Sequence, residues 1–220
     1  SMSFTEEYLV SRGIKRVLHI GADRGGELPQ YNRMAVDEVV WVEANPDVYS
    51  ELLLNLKAMN IDDVKSLPFN QLLSYEDDVE TDFNIIYGHD AGHMTGNKGM
   101  SSILKPRHSW WGSECYRGTI QLNSLTVDTF LERNELGTDF DMVNIDTQGA
   151  ELMILHGAYN LLSNPQLKYL NVEVTFSNPQ YEQNPLFDQI HSLLTDYKFK
   201  HVHTELSGEK TWGDALYVRD

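Results

Sequence analysis

The chain has 220 residues, with 17 Lys and Arg against 33 Asp and Glu, and its formal net charge is −16. This charge argues against a nucleic-acid partner, because binding a phosphate backbone requires a basic surface. The single cysteine, Cys115, excludes an internal disulfide and a cysteine-based zinc site, and it fits a reducing, cytoplasmic setting. No segment resembles a membrane span or a signal peptide, so we expect one intracellular domain over residues 1–220.

Helical and extended patterns alternate along the chain. The first half is predicted to contain a helix over 4–12, strands over 15–20 and 38–44, a helix from Pro46, and strands near 66–74 and over 83–88. The second half is predicted to contain strands over 118–122, 140–146 and 168–176, with helices over 127–134, 150–162 and 184–197. Residues between 88 and 118 are rich in Gly, His and Trp and are predicted to be a loop.

The helix from Pro46 has a clear start, since Asn45 can cap it and proline suits its first position. Its predicted apolar stripe consists of Tyr49, Leu52, Leu53, Leu56 and Met59.

The alternation predicts a parallel sheet covered by helices, with ligands bound at the carboxyl ends of the strands. The chain ends in two extended runs joined by the turn "SGEK", which predicts an antiparallel hairpin. A parallel sheet that closes with such a hairpin is typical of S-adenosylmethionine (SAM)-dependent methyltransferases rather than of dehydrogenases.

The turn after the first strand reads Gly21-Ala22-Asp23-Arg24-Gly25-Gly26. A dinucleotide site would have glycine at the position of Asp23, where a carboxylate repels a pyrophosphate but suits the positive charges of SAM. Glu43 ends the second strand, where an acidic side chain takes the ribose hydroxyls of an adenosine ligand. The alternatives are an ordinary tight turn and a solvent-facing glutamate.

Six stretches resemble the FkbM-type SAM-dependent methyltransferase family, and they occur in the family's order. They are "VLHIGADRGG", "VVWVEANPDVYSELLLNL", "GMSSIL", "SLTVDTFLE", "MVNIDTQGAELMILHGA" and "NVEV", within residues 15–176. The resemblance implies the class I methyltransferase fold, a Rossmann-like and mostly parallel seven-stranded sheet with a terminal antiparallel hairpin and helices on both faces. It also implies methyl transfer to hydroxyl groups of sugars, polyketides and related metabolites.

The resemblance further implies which residues bind SAM. The predicted set is Gly21, Ala22, Asp23, Gly25, Glu43, Ala44, Ser102 and Asp146. The chain departs from the family pattern at His19, where Asp is usual, and at Asp23, where Asn is usual.

Asp146 ends a central strand and should point into the crevice. It could bind the SAM ammonium, act as a base or hold a divalent cation. The alternative is capping, in which Asp146 or Thr147 satisfies the N–H groups of the next helix and Glu151 adds favourable charge to the first turn of that helix. His108 and Glu173 are the other candidate bases, with His89 and His93 as further possibilities. A divalent metal is possible, but we expect no strict requirement for one.

The loop "KPRHSWWGSECYRG" is the predicted acceptor site. Trp110, Trp111 and Tyr116 would form an aromatic platform and Arg107 would reach an acidic group; the alternative is that the tryptophans pack onto the sheet or form a dimer contact. The resulting prediction is a SAM-dependent O-methyltransferase for a small carbohydrate-like acceptor, either a sugar or a glycan. Alternatives are a polyketide or lipid hydroxyl, a metal-assisted enzyme, a SAM-binding protein without turnover, and an NAD-dependent oxidoreductase.

Overall fold

The structure is a computed structural model that describes residues 2–90, 93–97, 100–107, 110, 112 and 115–220, with backbone alone at 89–90 and 93–97. Across these residues, no helix is both long and apolar enough to cross a membrane. That one domain occupies residues 1–220 stays a prediction.

Strands and helices alternate through most of the chain. The strands are β1 Arg16–Ile20, β2 Glu38–Glu43, β3 Lys65–Asn70, β4 Leu72–Leu73, β5 Val79–Ile86, β6 Gly88–Asp90, β7 His93–Asn97, β8 Tyr116–Leu125, β9 Met142–Ile145, β10 Tyr169–Thr175, β11 Lys200–Leu206 and β12 Trp212–Val218. The helices are α1 Phe4–Leu9, α2 Leu28–Arg33, α3 Pro46–Met59, α4 Val127–Arg133, α5 Glu151–His156, α6 Tyr159–Ser163 and α7 Phe187–Asp196.

Seven strands form the main sheet in the order β11-β12-β10-β9-β1-β2-β3. All neighbouring pairs are parallel except those of β12, which runs antiparallel to both β10 and β11. The predicted seven-stranded, mostly parallel sheet with a terminal hairpin is therefore confirmed. Because β1 lies between β2 and β9, the strand order reverses there, and a crevice opens at the carboxyl ends of these strands.

The central strands are apolar on both sides, as expected for a parallel sheet with helices on each face. On one face Leu18 and Val40 pack with residues of α4, α5, α6 and α7. On the other face Val17 and Trp41 pack with residues of α1, α2 and α3. The sheet is thereby held between two apolar layers, leaving its carboxyl edge to carry the polar residues described below.

The helix predicted from Pro46 begins as expected, with the Asn45 side chain accepting a hydrogen bond from the Asp47 N–H at 3.1 Å. Its predicted apolar stripe is wrong at Leu53, which is 42% exposed. The helix predicted over 150–162 is two helices that break at Gly157. A Cβ at Gly157 would lie 2.7 Å from the Ser74 carbonyl oxygen, so the chain passes there too closely for a side chain.

The strands predicted over 83–88 and 118–122 are real but lie outside the main sheet. β5 and β8 pair antiparallel, and with β4 they form a separate three-stranded sheet. The segment predicted as a loop contains a short hairpin of β6 and β7, so that prediction is wrong for these residues. Alternation along the sequence does not reveal which sheet a strand joins.

Candidate functional site

A cavity of about 160 Å³ lies at the carboxyl ends of β1, β2 and β9. Five residues of the predicted cofactor set line it: Gly21, Asp23, Glu43, Ala44 and Asp146. The remaining wall is largely apolar and includes Leu72, Leu73, Phe83, Met100, Ile103 and Ile154. Acidic groups at one side and an apolar wall at the other suit a ligand with both a charged and an apolar part.

The turn after β1 requires glycine at its first position. Gly21 has φ +83°, and a Cβ there would lie only 1.7 Å from the Asp146 carbonyl oxygen. The Gly21 and Ala22 N–H groups donate to the Val42 carbonyl at 2.9 and 3.0 Å. The turn is thus pressed between β2 and the end of β9, and the cavity opens directly above it.

Ala22 and Gly25 are not among the residues that line the cavity, and their contact with a cofactor stays a prediction. Ala22 is fully buried. Gly25 has φ +73°, and a Cβ there would lie 2.9 Å from atoms of Leu52 and Leu56 on α3. Their small size lets the turn approach the helix layer.

Glu43 is held at the cavity wall by two backbone donors. Its Oε1 accepts from the Asp23 N–H at 2.8 Å and its Oε2 from the Asn45 N–H at 2.9 Å. Burial raises the pKa of Glu43 to about 7, although both N–H donors act in the opposite direction. Since a carboxylate oxygen has more than one lone pair, Glu43 can still accept a hydrogen bond from a ligand.

Three carboxyl groups, including that of Asp146, lie close together at this edge of the sheet. Asp146, Glu151 and Glu173 each offer an oxygen within 4.8 Å of the other two. Asp146 directly follows β9, and Glu173 lies within the neighbouring strand β10, next to the pair of Ile145 with Val172. From the sequence, Asp146 and Glu173 are separate candidate bases, and this cluster was not predicted; the usable signal was a carboxylate in or directly after each of two apolar strands.

Glu151 is largely occupied by its own turn. Its Oε2 accepts from the N–H and the hydroxyl of Thr147, both at 2.7 Å, and its Oε1 accepts from the Gly149 N–H at 3.1 Å. The N-cap of α5 is Ala150, which makes no side-chain capping bond, so the proposed capping by Asp146 or Thr147 is wrong. Glu151 instead ties together the turn that carries Asp146.

Glu173 and Asp146 form an electrostatic pair. Burial, the Asp146 charge and a hydrogen bond between the two carboxyl groups raise the pKa of Glu173 well above its usual range. Burial also raises the pKa of Asp214, which faces Glu173 across the β10–β12 pair, to about 7. The raised pKa favours the protonated form of Glu173, which can donate a hydrogen bond to Asp146.

Ser102 does not line the cavity, which corrects its predicted position. It is completely buried, where its hydroxyl donates to the Gln148 carbonyl at 2.6 Å and accepts from the Leu104 N–H at 3.0 Å. Its neighbour Ser101 lines the cavity instead. Ser102 thus stabilises the turn after Asp146 through its hydrogen bond to the Gln148 carbonyl.

His19 also lies away from the cavity wall. It is buried, with Nδ1 2.7 Å from the Tyr31 hydroxyl and its ring stacked on Trp41. Burial lowers the pKa of His19 to about 4, so the ring is neutral near pH 7. His19, which departs from the family pattern, is therefore a neutral residue packed below the first turn against Tyr31 and Trp41.

The predicted acceptor residues do not share one wall. The Arg107 Nη1 donates to the Pro179 carbonyl at 2.5 Å, and Trp110 packs on a small apolar cluster with Tyr181. Tyr116 is 42% exposed and lines a separate open groove. The remaining candidates, His108 and Trp111, and the side chains of His89 and His93 lie outside the described residues.

The chain has a Rossmann-like sheet with an acidic cavity where the strand order reverses. A comparison with protein families agrees with this architecture. The family model "Methyltransferase FkbM domain" matches residues 19–201. The chain belongs to the FkbM methyltransferase family. The family predicted from sequence motifs is thereby confirmed, and an oxidoreductase is not supported.

Solved structures share the fold of this FkbM-family chain at low sequence identity. The FkbM methyltransferase of Methylobacillus flagellatus aligns with a TM-score of 0.59 and 10% identity, covering 93% of this chain and 43% of that protein. The chain thus spans less than half the length of that relative. The magnesium protoporphyrin IX methyltransferase of Synechocystis, solved with bound S-adenosylhomocysteine (SAH), aligns with a TM-score of 0.53 and 13% identity, covering 98% and 80%.

A protein of the NADB-Rossmann superfamily from Streptococcus agalactiae aligns with a TM-score of 0.51 and 14% identity, covering 100% of this chain and 69% of that protein. A search of curated proteins finds no match. The comparisons therefore give the family and the fold of SAM-dependent methyltransferases.

Proposed function

We propose that this FkbM-family chain is a SAM-dependent O-methyltransferase that methylates a hydroxyl of a small carbohydrate-like acceptor, either a sugar or a glycan. The observation that carries the proposal is the Asp146–Glu173 carboxyl pair beside a cavity whose wall holds Glu43. One end of this arrangement suits an adenosine ligand, and the other provides a group that can accept a proton.

The residues present fit SAM. The backbone of Gly21 lines the cavity directly, and the carboxyl groups of Asp23 and Asp146 suit the positive charges of the methionine part. Glu43 is fixed by two N–H donors and can accept from the ribose hydroxyls. When bound, SAM would supply an activated methyl group on its sulfonium for transfer to the acceptor oxygen.

A hydroxyl acceptor fits the carboxyl pair because an alcohol is a weak nucleophile and must lose its proton. A positioned base accelerates such a step by about 10²- to 10⁴-fold. Asp146 lines the cavity, and Glu173 makes a hydrogen bond with Asp146 from the neighbouring strand. The net charge of −16, together with this acidic cluster, disfavours a polyanionic nucleic acid as acceptor.

The test is methyl transfer from labelled SAM to neutral methyl glycosides, hexose phosphates, a long-chain alcohol, a small amine and a tRNA transcript. We expect transfer to a neutral glycoside. The Asp146→Asn variant should fold, since Asn can still accept from Gln148 Nε2, but should lose about 10²- to 10⁴-fold in kcat. Asp196→Asn, at the exposed end of α7, is the matched control and should remain fully active.

Transfer only to the amine, the tRNA or the long-chain alcohol would contradict the proposed acceptor. SAM binding with no transfer to any acceptor would indicate a binding protein without turnover. Parental kcat in Asp146→Asn would leave Asp146 with a purely structural role.

A further inference from the structure

Gln71 lines the cavity at the opposite end from Asp146. In the main sheet β1 and β2 separate β9 from β3, so the ends of β9 and β3 are three strand spacings apart, about 14 Å. Asp146 directly follows β9, and Gln71 directly follows β3. The lining at the β3 end is largely apolar and includes Val42, Leu72, Leu73 and Phe83. Gln71 thus brings a polar group to an otherwise apolar part of the cavity.

The ends of β2 and β3 hold Gln71 directly beside Glu43. The Gln71 N–H donates to the Glu43 carbonyl at 3.1 Å, because β3 runs parallel to β2 and Asn70 pairs with Glu43. The Asn70 side chain adds two bonds, from Nδ2 to the Glu43 carbonyl at 2.8 Å and to the Ala44 carbonyl at 3.1 Å. Gln71 is therefore fixed next to the residue that is proposed to bind the ribose.

The side-chain amide of Gln71 has one fixed orientation. Its Nε2 donates to the Leu72 carbonyl and to the Asn123 carbonyl, both at 2.9 Å. An amide nitrogen of this kind has two hydrogens, so both are used. The reversed amide would place its oxygen against two carbonyl oxygens, which accept but cannot donate. The remaining polar atom of the side chain is Oε1, which can only accept a hydrogen bond.

Strand β8 supplies one of the two carbonyl groups that fix this amide. It belongs to the separate three-stranded sheet, in which Ser124 pairs with Leu72 on β4. This pairing brings Asn123 beside Gln71. Among the described residues, none donates a hydrogen bond to Gln71 Oε1. The three-stranded sheet therefore leaves this oxygen available to a donor that a ligand brings.

We propose that Gln71 selects the base of the cofactor: its Oε1 accepts a hydrogen bond from the exocyclic amine of adenine and disfavours a base that carries an oxygen there. The inference rests on the proposed function, in which Glu43 holds the ribose and Asp23 and Asp146 lie beside the methionine part. The base then lies on the other side of the ribose, toward Gln71. Its flat faces fit the apolar lining at this end of the cavity.

Adenine and hypoxanthine differ at the position that Gln71 would contact. Adenine has an amine, which donates, whereas hypoxanthine has a carbonyl oxygen, which only accepts. Hypoxanthine would set two acceptors against each other, and turning the Gln71 amide over would break both of its bonds to backbone carbonyls. A site that is built to bond a donor rejects an analogue that lacks it, because the polar group of the site is left without a partner.

The test compares SAH with S-inosylhomocysteine (SIH), in which hypoxanthine replaces adenine, by isothermal calorimetry on the full chain. We expect the parent to bind SAH more tightly than SIH, by about tenfold or more. Gln71→Met, of similar length but without these hydrogen-bonding groups, should bind SAH more weakly and lose the preference. Gln121→Met, the same change at an exposed position on β8, is the matched control and should keep the parental preference.

Gln71→Lys is the second variant, because it removes the acceptor while its ammonium can still donate to the Leu72 and Asn123 carbonyls. The third hydrogen of the ammonium suits the hypoxanthine oxygen, so we expect the preference to reverse in favour of SIH. This variant keeps the two bonds that support the local fold. It therefore provides the answer if circular dichroism shows that Gln71→Met does not fold.

Two outcomes overturn the role of Gln71 and leave the proposed function standing. One is a parent that binds SIH as tightly as SAH or more tightly, and the other is a preference for SAH that both Gln71 variants retain. A parent that binds neither ligand overturns the proposed function and this inference together. A parental preference for SAH that is lost in Gln71→Met or reversed in Gln71→Lys supports the inference.

Discussion

At the scale of single residues, Glu43 has two functions that share one carboxyl group. It holds the glycine turn to the start of α3 through the Asp23 and Asn45 N–H groups, and it faces the cavity. An alanine at this position would remove the proposed ribose contact and leave two backbone donors without this acceptor. A glutamine would satisfy only one donor, because its amide nitrogen would face the other N–H.

We therefore predict that Glu43→Ala weakens SAM binding by about ten- to a hundredfold, the effect of losing charge-assisted hydrogen bonds. Isothermal calorimetry measures the affinity, and circular dichroism confirms that the fold is retained. Glu132→Ala, on an exposed position of α4, is the matched control and should bind like the parent. A parental affinity in Glu43→Ala would rule out the ribose contact.

At the scale of elements, the turn between β9 and α5 explains why three neighbouring carboxyl groups need not form a metal site. Glu151 accepts three hydrogen bonds from Thr147 and Gly149 and so helps to shape the turn. A divalent cation prefers six or more oxygen ligands, and here it would compete with these donors for Glu151. Asp146 and Glu173 alone are too few for a dedicated protein cage.

Accordingly, we predict that methyl transfer persists after dialysis against EDTA, with kcat within about twofold of the untreated protein, because SAM already carries an activated methyl group. The assay follows labelled methyl transfer before and after chelation, with added Mg²⁺ as the control. Loss of activity in EDTA and recovery with Mg²⁺ would instead make the Asp146, Glu151 and Glu173 cluster a metal site.

At the scale of the whole molecule, several buried carboxyl groups lie near Asp146 at one edge of the sheet, and we call them the acidic edge. The pKa values of Glu27, Glu43, Glu151 and Asp214 are each raised to about 7, mainly by burial and further by the Asp146 charge. Their folded-state pKa values lie above their usual ones, so the folded protein retains protons that the unfolded chain releases. Stability contributed by these groups is lost as pH rises through about 7.

His19 acts in the opposite direction at lower pH, because burial lowers its pKa from 6.5 to about 4. Between about pH 6.5 and pH 4, His19 is therefore protonated in the unfolded chain but neutral in the folded protein. The stability that His19 contributes falls as the pH is lowered through this range. Above about pH 6.5 His19 no longer contributes to the change of stability with pH, and the carboxyl groups alone contribute to it. That interval is the one in which the acidic edge determines how stability changes.

We predict that Tm falls between about pH 6.5 and pH 8, as measured by differential scanning calorimetry at constant ionic strength. Asp146→Asn should show a smaller fall, because it removes the charge that contributes to each raised pKa. The exposed Asp196→Asn variant should follow the parent. A Tm that is constant or rises over this range would show that the acidic edge is solvated enough to ionise freely.

The sequence by itself determined the features that depend on neighbours along the chain. Alternating apolar patterns gave most strands and helices, "NPD" gave the start of α3, and the terminal turn gave the hairpin that ends the sheet. Gly21, Asp23 and Glu43 line the cavity, and they could be singled out because a turn and a strand end are local features; their contact with SAM stays a prediction. Motifs in their family order identified the family.

Only the tertiary structure decided what depends on strand pairing and packing. It joined Asp146 to Glu173 because β9 and β10 are neighbours, and it removed β5 and β8 from the main sheet. It placed Ser101 on the cavity wall and buried Ser102, since adjacent residues in an extended chain point to opposite sides. It also brought Glu173 and Trp212 to one small polar cleft, although they are 39 positions apart, because β12 lies antiparallel beside β10.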